Sequence, residues 1–144
     1  MKDILLSIHP NFADAIISGK KKYELRKNRI SDEINWIYLY ETKPVQKVTA
    51  RVALQKILTA SPKILKTIID LSETELTSDQ YNKYYEYSKI ASALVLGRVE
   101  QFSKPLPLSD FKISRIPQNY CYLKVDGDKI LNLNSVRIVR KDEQ

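Results

Sequence analysis

Apolar residues fall along this chain in short blocks, some alternating with polar residues as strands do and some recurring at helical spacing. Residues 4 to 8, Ile-Leu-Leu-Ser-Ile, predict a strand in the interior of a sheet, and His9-Pro10 breaks it. From Pro10 to Ser18 the pattern turns helical. Proline stands at a first-turn position, Phe12, Ala15 and Ile16 follow at helical spacing, and Gly19 sits where a left-handed cap would end the helix. Lys22 to Arg26 returns to period 2, with Lys22, Glu24 and Arg26 on one face and Tyr23 and Leu25 on the other. A polar connection through Ser31-Asp32-Glu33 leads to Trp36–Tyr40, a strand whose Trp36, Tyr38 and Tyr40 share a core-facing side, closed by Glu41 to Pro44.

Val48 to Leu58 predict a long strand, and Arg51 within it calls for an edge position or an acidic partner such as Glu24 or Glu41. Ser61-Pro62 caps and starts a helix to about Asp70, with Ile64, Leu65, Ile68 and Ile69 as its apolar stripe. A third helix opens at Ser78-Asp79 and carries Tyr81, Tyr84, Tyr85 and Tyr87, the first three on one side, which docks on the sheet with hydroxyls at its rim or, alternatively, offers a stacking platform to a nucleobase. Ile90 to Phe102 is the most apolar strand, and Gly97 within it marks a bulge or bend. An extended connection at Lys104–Pro107 precedes a strand at Tyr120–Leu123, a tight turn at Asp126-Gly127, and a last strand from Ile130 to Arg140. Several strands with three inserted helices and short connections describe one α+β domain over residues 1–144, a mostly antiparallel sheet curled toward a barrel.

Composition narrows the function classes. The chain has 144 residues, 24 Lys and Arg against 17 Asp and Glu, and a net charge of +7, which favours polyanionic partners. Cys121 is the single cysteine and His9 the single histidine, so neither an internal disulfide nor a metal site is expected. No Gly-rich phosphate loop is present, which argues against a nucleotide cofactor, and no other cofactor is implied. The start of the chain lacks the pattern of a signal peptide and no apolar run is long enough for a membrane span, so a cytoplasmic protein without membrane contact is expected.

Five of the eight residues from Gly19 to Arg26 are charged. Gly19, Lys21, Glu24 and Arg26 stand at the spacing G-x-K-x-x-E-x-R, and with "ILLSIHP", "WIYLYET" and its following proline, the strand around Arg51, and "PQNYCYL", the chain resembles the ASCH domains of the PUA-like superfamily. The resemblance implies a PUA-like β-pseudobarrel, a cleft lined by Lys21, Glu24 and Arg26, and binding of RNA, with some ASCH domains proposed as regulators of transcription or translation.

Two functions follow as expectations. In the first, Lys21 and Arg26, helped by Lys20, Lys22 and Arg29, meet the phosphates of RNA or another nucleic acid while Glu24 and Tyr40 orient a base. In the second, the site is an enzyme's, with Lys21 and Glu24 as candidate catalytic groups, because certain ASCH proteins are implied to be acetylcytidine amidohydrolases and others ribonucleases. Those amidohydrolases carry threonine where this chain has Glu24. A third reading treats the motif as an ion-pair network that holds the first helix to the sheet.

Overall fold

The computed structural model describes residues 2–30 and 33–141, so Ser31 and Asp32 of the expected polar connection lie outside the described residues. In chain order the elements are β1 (Lys2–Ile8), α1 (Pro10–Ile17), β2 (Tyr23–Arg26), β3 (Ile34–Glu41), β4 (Lys47–Ala60), α2 (Pro62–Ile68), α3 (Ser78–Tyr84), β5 (Ala91–Leu106), β6 (Tyr120–Tyr122), α4 (Gly127–Leu133) and β7 (Ile138–Lys141). The strands form a curled sheet in the order β2-β5-β4-β3-β1-β6, with β7 joined to β5 off that path. Only the β1–β3 pair is parallel among the described residues. The result is an α+β half-barrel, mostly antiparallel, as the strand pattern predicts.

Alternation sorts each central strand between two cores. Ile4, Leu6 and Ile8 of β1 join Ile37 and Leu39 of β3 under α1, where Ala13 and Ile16 are buried against them. Leu5, Tyr38 and Tyr40 face the other way, against Phe102, Phe111 and Ile130. Each large apolar side chain removed from water here contributes roughly 1.5–3 kcal/mol before entropy is counted. The long β4–β5 ladder bends where its register shifts, between Val52 and Lys56, opposite the stretch that holds Gly97. A Cβ at Gly97 would lie 3.1 Å from the Ala53 carbonyl, so the missing side chain permits the bend.

The insertion between β4 and β5 folds over the edge strand β2. Ser61 caps α2 by accepting the Ile64 amide, and Leu65 and Ile69 pack with Tyr81, Tyr85 and Leu25 in a third cluster. Of the expected apolar stripe, Ile64 and Ile68 are exposed, because α2 touches the sheet along only one narrow line. α3 begins at Ser78 as expected, and Thr77 caps it in a reciprocal capping box with Gln80.

Further expectations change. Asp126-Gly127 begins a fourth helix instead of a tight turn: the Asp126 carboxylate accepts the amides of Asp128 and Lys129, while Ile130 and Leu131 are buried. The last strand therefore starts at Ile138, and β5 continues through Lys104-Pro105 to pair Leu106 with Val48. Arg51 pairs with neither Glu24 nor Glu41. Its Nε donates to Glu100 Oε1 at 2.9 Å and its Nη1 to Asp128 Oδ1 at 2.6 Å and Tyr38 Oη at 3.0 Å, because antiparallel register sets Arg51 opposite both Tyr38 and Glu100. Burial alone would lower the Arg51 guanidinium, but hydrogen bonds from it to Asp128, Tyr38 and Glu100 hold its pKa above the ordinary value.

Candidate functional site

The turn after α1 sets the site. Ser18 is the C-cap of α1, Gly19 follows with φ of 87°, and the chain turns sharply enough for the Lys21 amide to reach the Ala15 carbonyl at 3.0 Å. Two residues on, β2 pairs with β5 from Tyr23 opposite Val95 to Arg26 opposite Ser92. Strand period then puts Glu24 and Arg26 on one face, as expected, and Lys21 leans in from the turn beside them.

These three side chains line a cavity of about 540 Å³. Arg26 Nη2 lies 2.8 Å from Glu24 Oε2, and Lys21 Nζ lies 3.4 Å from Glu24 Oε1. Glu24 thus joins two cations, one on each oxygen. Lys21 also donates to the carbonyls of Tyr23 at 2.8 Å and Thr74 at 3.1 Å, and it is only 6% exposed. Two backbone carbonyls and the Glu24 carboxylate thus hold the ammonium, and Lys21 ties the insertion to the edge strand. Arg26 is different. Its Nε is shielded from solvent and has no hydrogen-bond partner among the described residues.

The rest of the cavity comes from parts of the chain that sequence spacing could not bring together. Ser7, Ile8, His9 and Phe12 form one wall, and Leu76, Gln80, Lys83 and Tyr84 of the insertion form the other. Ser7 Oγ donates to the Pro117 carbonyl at 2.7 Å, so its hydroxyl proton serves the fold. Burial raises the Tyr84 phenol above its ordinary range, which keeps the proton that it directs to the Leu25 carbonyl at 3.3 Å. Lys27 places its ammonium over the Tyr84 ring, 4.7 Å from the centroid.

The remaining candidates lie elsewhere. Tyr40 is 3% exposed in the core cluster of Tyr38 and Phe102 and lines no part of this cavity, because the strand period that groups it with Tyr38 also buries it. Lys22 points to the far side of β2, where it pairs with Glu73 at 3.5 Å. Lys20 and Arg29 are exposed and do not line the cavity. Sequence spacing points to neither Gln80 nor Lys83 as a cleft residue. The one available signal was the tyrosine run, and of Tyr81, Tyr84 and Tyr85 only Tyr84 reaches the cavity. Among the described residues no group of three or more His, Cys, Asp or Glu side chains could hold a metal ion, and no helix is long and apolar enough to cross a membrane.

The protein is of the mixed α+β class with a curled half-barrel sheet, in which a turn lysine and the glutamate and arginine of an edge strand line one cleft, and comparison with known proteins gives the family. The ASCH domain family model matches residues 6–105, and the chain belongs to that family. An ASCH domain-containing ribonuclease of Zymomonas mobilis is 31% identical over 140 residues, 93% of each chain. The crystal structure of ASCH from Zymomonas mobilis matches with a TM-score of 0.82 at 26% identity, over 96% of this chain and 99% of that one. A third likeness, 28% over 121 residues, is to ATP synthase subunit alpha of Ureaplasma parvum; it takes in 84% of this chain but 15% of that protein.

Proposed function

We propose that the protein binds RNA in the cleft beside β2, with Arg26 as the cation that meets the strand and Lys21 and Glu24 as the frame that aims it. The observation that carries this reading is the convergence of the three charges on a cavity of about 540 Å³ while one guanidinium N–H of Arg26 lacks a protein acceptor. A buried donor without a partner is uncommon in a folded protein, and a ligand oxygen would satisfy it. Lys83 adds a second cation across the cleft, and Phe12, Leu25 and Tyr84 supply apolar surface of the kind an unstacked base packs on. The net charge of +7 assists encounter with any polyanion.

Cleavage of the bound strand is the second reading. It is favoured by the relative named a ribonuclease, whose likeness runs over nearly the whole of both chains. Regulation of transcription or translation would instead use binding without turnover, in a cytoplasmic setting. Acetylcytidine hydrolysis has less support, since Lys21 is buried, donates to two backbone carbonyls and pairs with Glu24.

The test is anisotropy of a labelled single-stranded RNA, with intact and cleaved strand separated on a gel after long incubation. Arg26→Ala should weaken binding by about tenfold or more, the loss of one hydrogen-bonded charge. Lys21→Met should lower stability by about 3 kcal/mol, by leaving two carbonyls without their donor and Glu24 with Arg26 alone. If Arg26→Ala binds RNA as tightly as the parent protein, the reading is wrong. Accumulating fragments select cleavage; an unchanged strand selects binding alone.

A further inference from the structure

A second cavity, also of about 540 Å³, lies against the other side of Lys21, which lines both. From it we infer that the protein takes a single strand of RNA across the Gly19–Lys22 turn, with one nucleotide in each cavity and the linking phosphate on the turn between them. The inference rests on the reading of the first cavity as an RNA site and extends it to the length of strand bound.

The second cavity has its own chemistry. Its floor is apolar, made by Ile16, Leu96 and Val99 of the core, and its rim is polar, with Lys22, Tyr23 and Gln55. Two glycines keep it open. A Cβ on Gly19 would meet no atom within 4 Å, so the turn is bare where it faces the cavity, and a Cβ on Gly97 would lie 3.0 Å from Cγ of Gln55. Cavities of this size hold small ligands, and the accessible lining of this one is more polar than apolar, which offers hydrogen-bond partners to the edge of an unstacked base. A lone nucleoside would fill one of the two compartments.

The lysine run is accounted for on the same terms. Lys21 is buried in the partition, whereas Lys20 and Lys22 on either side of it are exposed, so the crest between the cavities carries two solvent-facing ammonium groups. Lys22 is held by Glu73 on one side, at 3.5 Å. A strand that crosses this crest presents a phosphate to the exposed pair and can splay its bases to opposite sides.

Binding of uridine monophosphate, the dinucleotide UpU and a uridine tetramer is to be compared by titration calorimetry. In the parent protein UpU should bind about tenfold tighter than the mononucleotide, the order of gain a second stacked base supplies, and the tetramer should add little beyond salt-dependent contacts. Val95→Trp, which fills the second cavity from β5, should remove the gain and leave mononucleotide affinity unchanged. Gln55→Ala repeats the test from the rim with a smaller change, for use if the tryptophan variant does not fold. The inference is overturned if UpU binds no tighter than the mononucleotide, or if the gain survives both substitutions. Mononucleotide binding that is lost in Arg26→Ala but shows no gain with length leaves the first cavity's reading standing and removes only this one. Absence of binding by every probe removes both.

Discussion

Glu41 is a carboxylate that the sheet buries at the end of β3, where Thr49 Oγ1 donates to it at 2.6 Å. Burial raises its pKa above the ordinary 4.5; the Thr49 hydrogen bond opposes that shift and the charge of Asp14 adds to it. A carboxyl whose folded pKa exceeds its unfolded value binds its proton more tightly in the native state. Its contribution to stability is therefore present at low pH and is lost as pH rises from about 4.5 through the folded value. Glu41→Gln keeps an oxygen to accept from Thr49 and removes the buried charge. It should raise the urea midpoint at pH 7, and the difference from the parent should close toward about pH 4; equal midpoints at pH 7 would refute this. Asp3 is also raised, first by burial, but it is common to both proteins and drops out of the comparison.

Gly127 is a residue whose reason lies in a distant part of the chain. A Cβ there would stand 1.9 Å from the hydroxyl of Tyr38 and 2.4 Å from Cζ, and that ring is fixed by the Arg51 hydrogen bond and by Phe111 packed edge-on at 5.6 Å. Gly127→Ala should cost about 3 kcal/mol, the upper end for an overpacked core, read from denaturant unfolding. Adding Tyr38→Phe removes the nearer atom but not the ring carbon, so it should restore only part of the loss. Asp-Gly reads as a turn because that pair favours tight turns locally. The helix it begins is specified by the burial of Ile130 and Leu131, which local spacing does not reveal.

At the scale of elements, the insertion between β4 and β5 acts as a strap on the edge strand. Tyr85 Oη donates to the Arg26 carbonyl at 3.0 Å, Tyr84 Oη to the Leu25 carbonyl at 3.3 Å, and the Lys22 amide to the Glu73 carbonyl at 2.7 Å. These bonds satisfy the open side of β2 and cover an edge that would otherwise invite pairing with another chain. Burial raises the Tyr85 phenol, so its proton stays in place for this contact. Tyr85→Phe should cost about 1 kcal/mol, and Thr77→Ala, which undoes the capping box of α3, about the same. Both should speed amide exchange in β2 and α3 and leave exchange in β1 and β3 unchanged. Equal acceleration across the sheet would mean that the strap is not a separate unit. Pro10, Gly19 and the alternation in β1, β2 and β3 declared these elements locally. The strap's contact with β2 depends on tyrosine hydroxyls meeting carbonyls about sixty residues away, which periodicity does not encode.

For the molecule as a whole, the motif announced three residues of the cleft, while its far wall became visible only when α3 was folded over β2. Net charge is similarly blind to place. A charge of +7 spread at random and one focused on a cleft predict different salt behaviour. Single-strand binding loses affinity with a slope of about −0.7 in log salt for each phosphate neutralised. Arg26 and Lys83 at the first cavity with Lys20 and Lys22 on the crest should give a slope of about −3. Lys104, Lys112 and Lys129 are exposed and line neither cavity. Changing those three to glutamine takes the net charge from +7 to +4, because each loses one positive charge. Arg26→Gln with Lys83→Gln lowers it by less, to +5. If the cleft is what engages RNA, the double variant should flatten the slope by about 1.4 and the triple variant should leave it near the parent value. If overall charge is what matters, the order reverses, because the triple variant removes more of it.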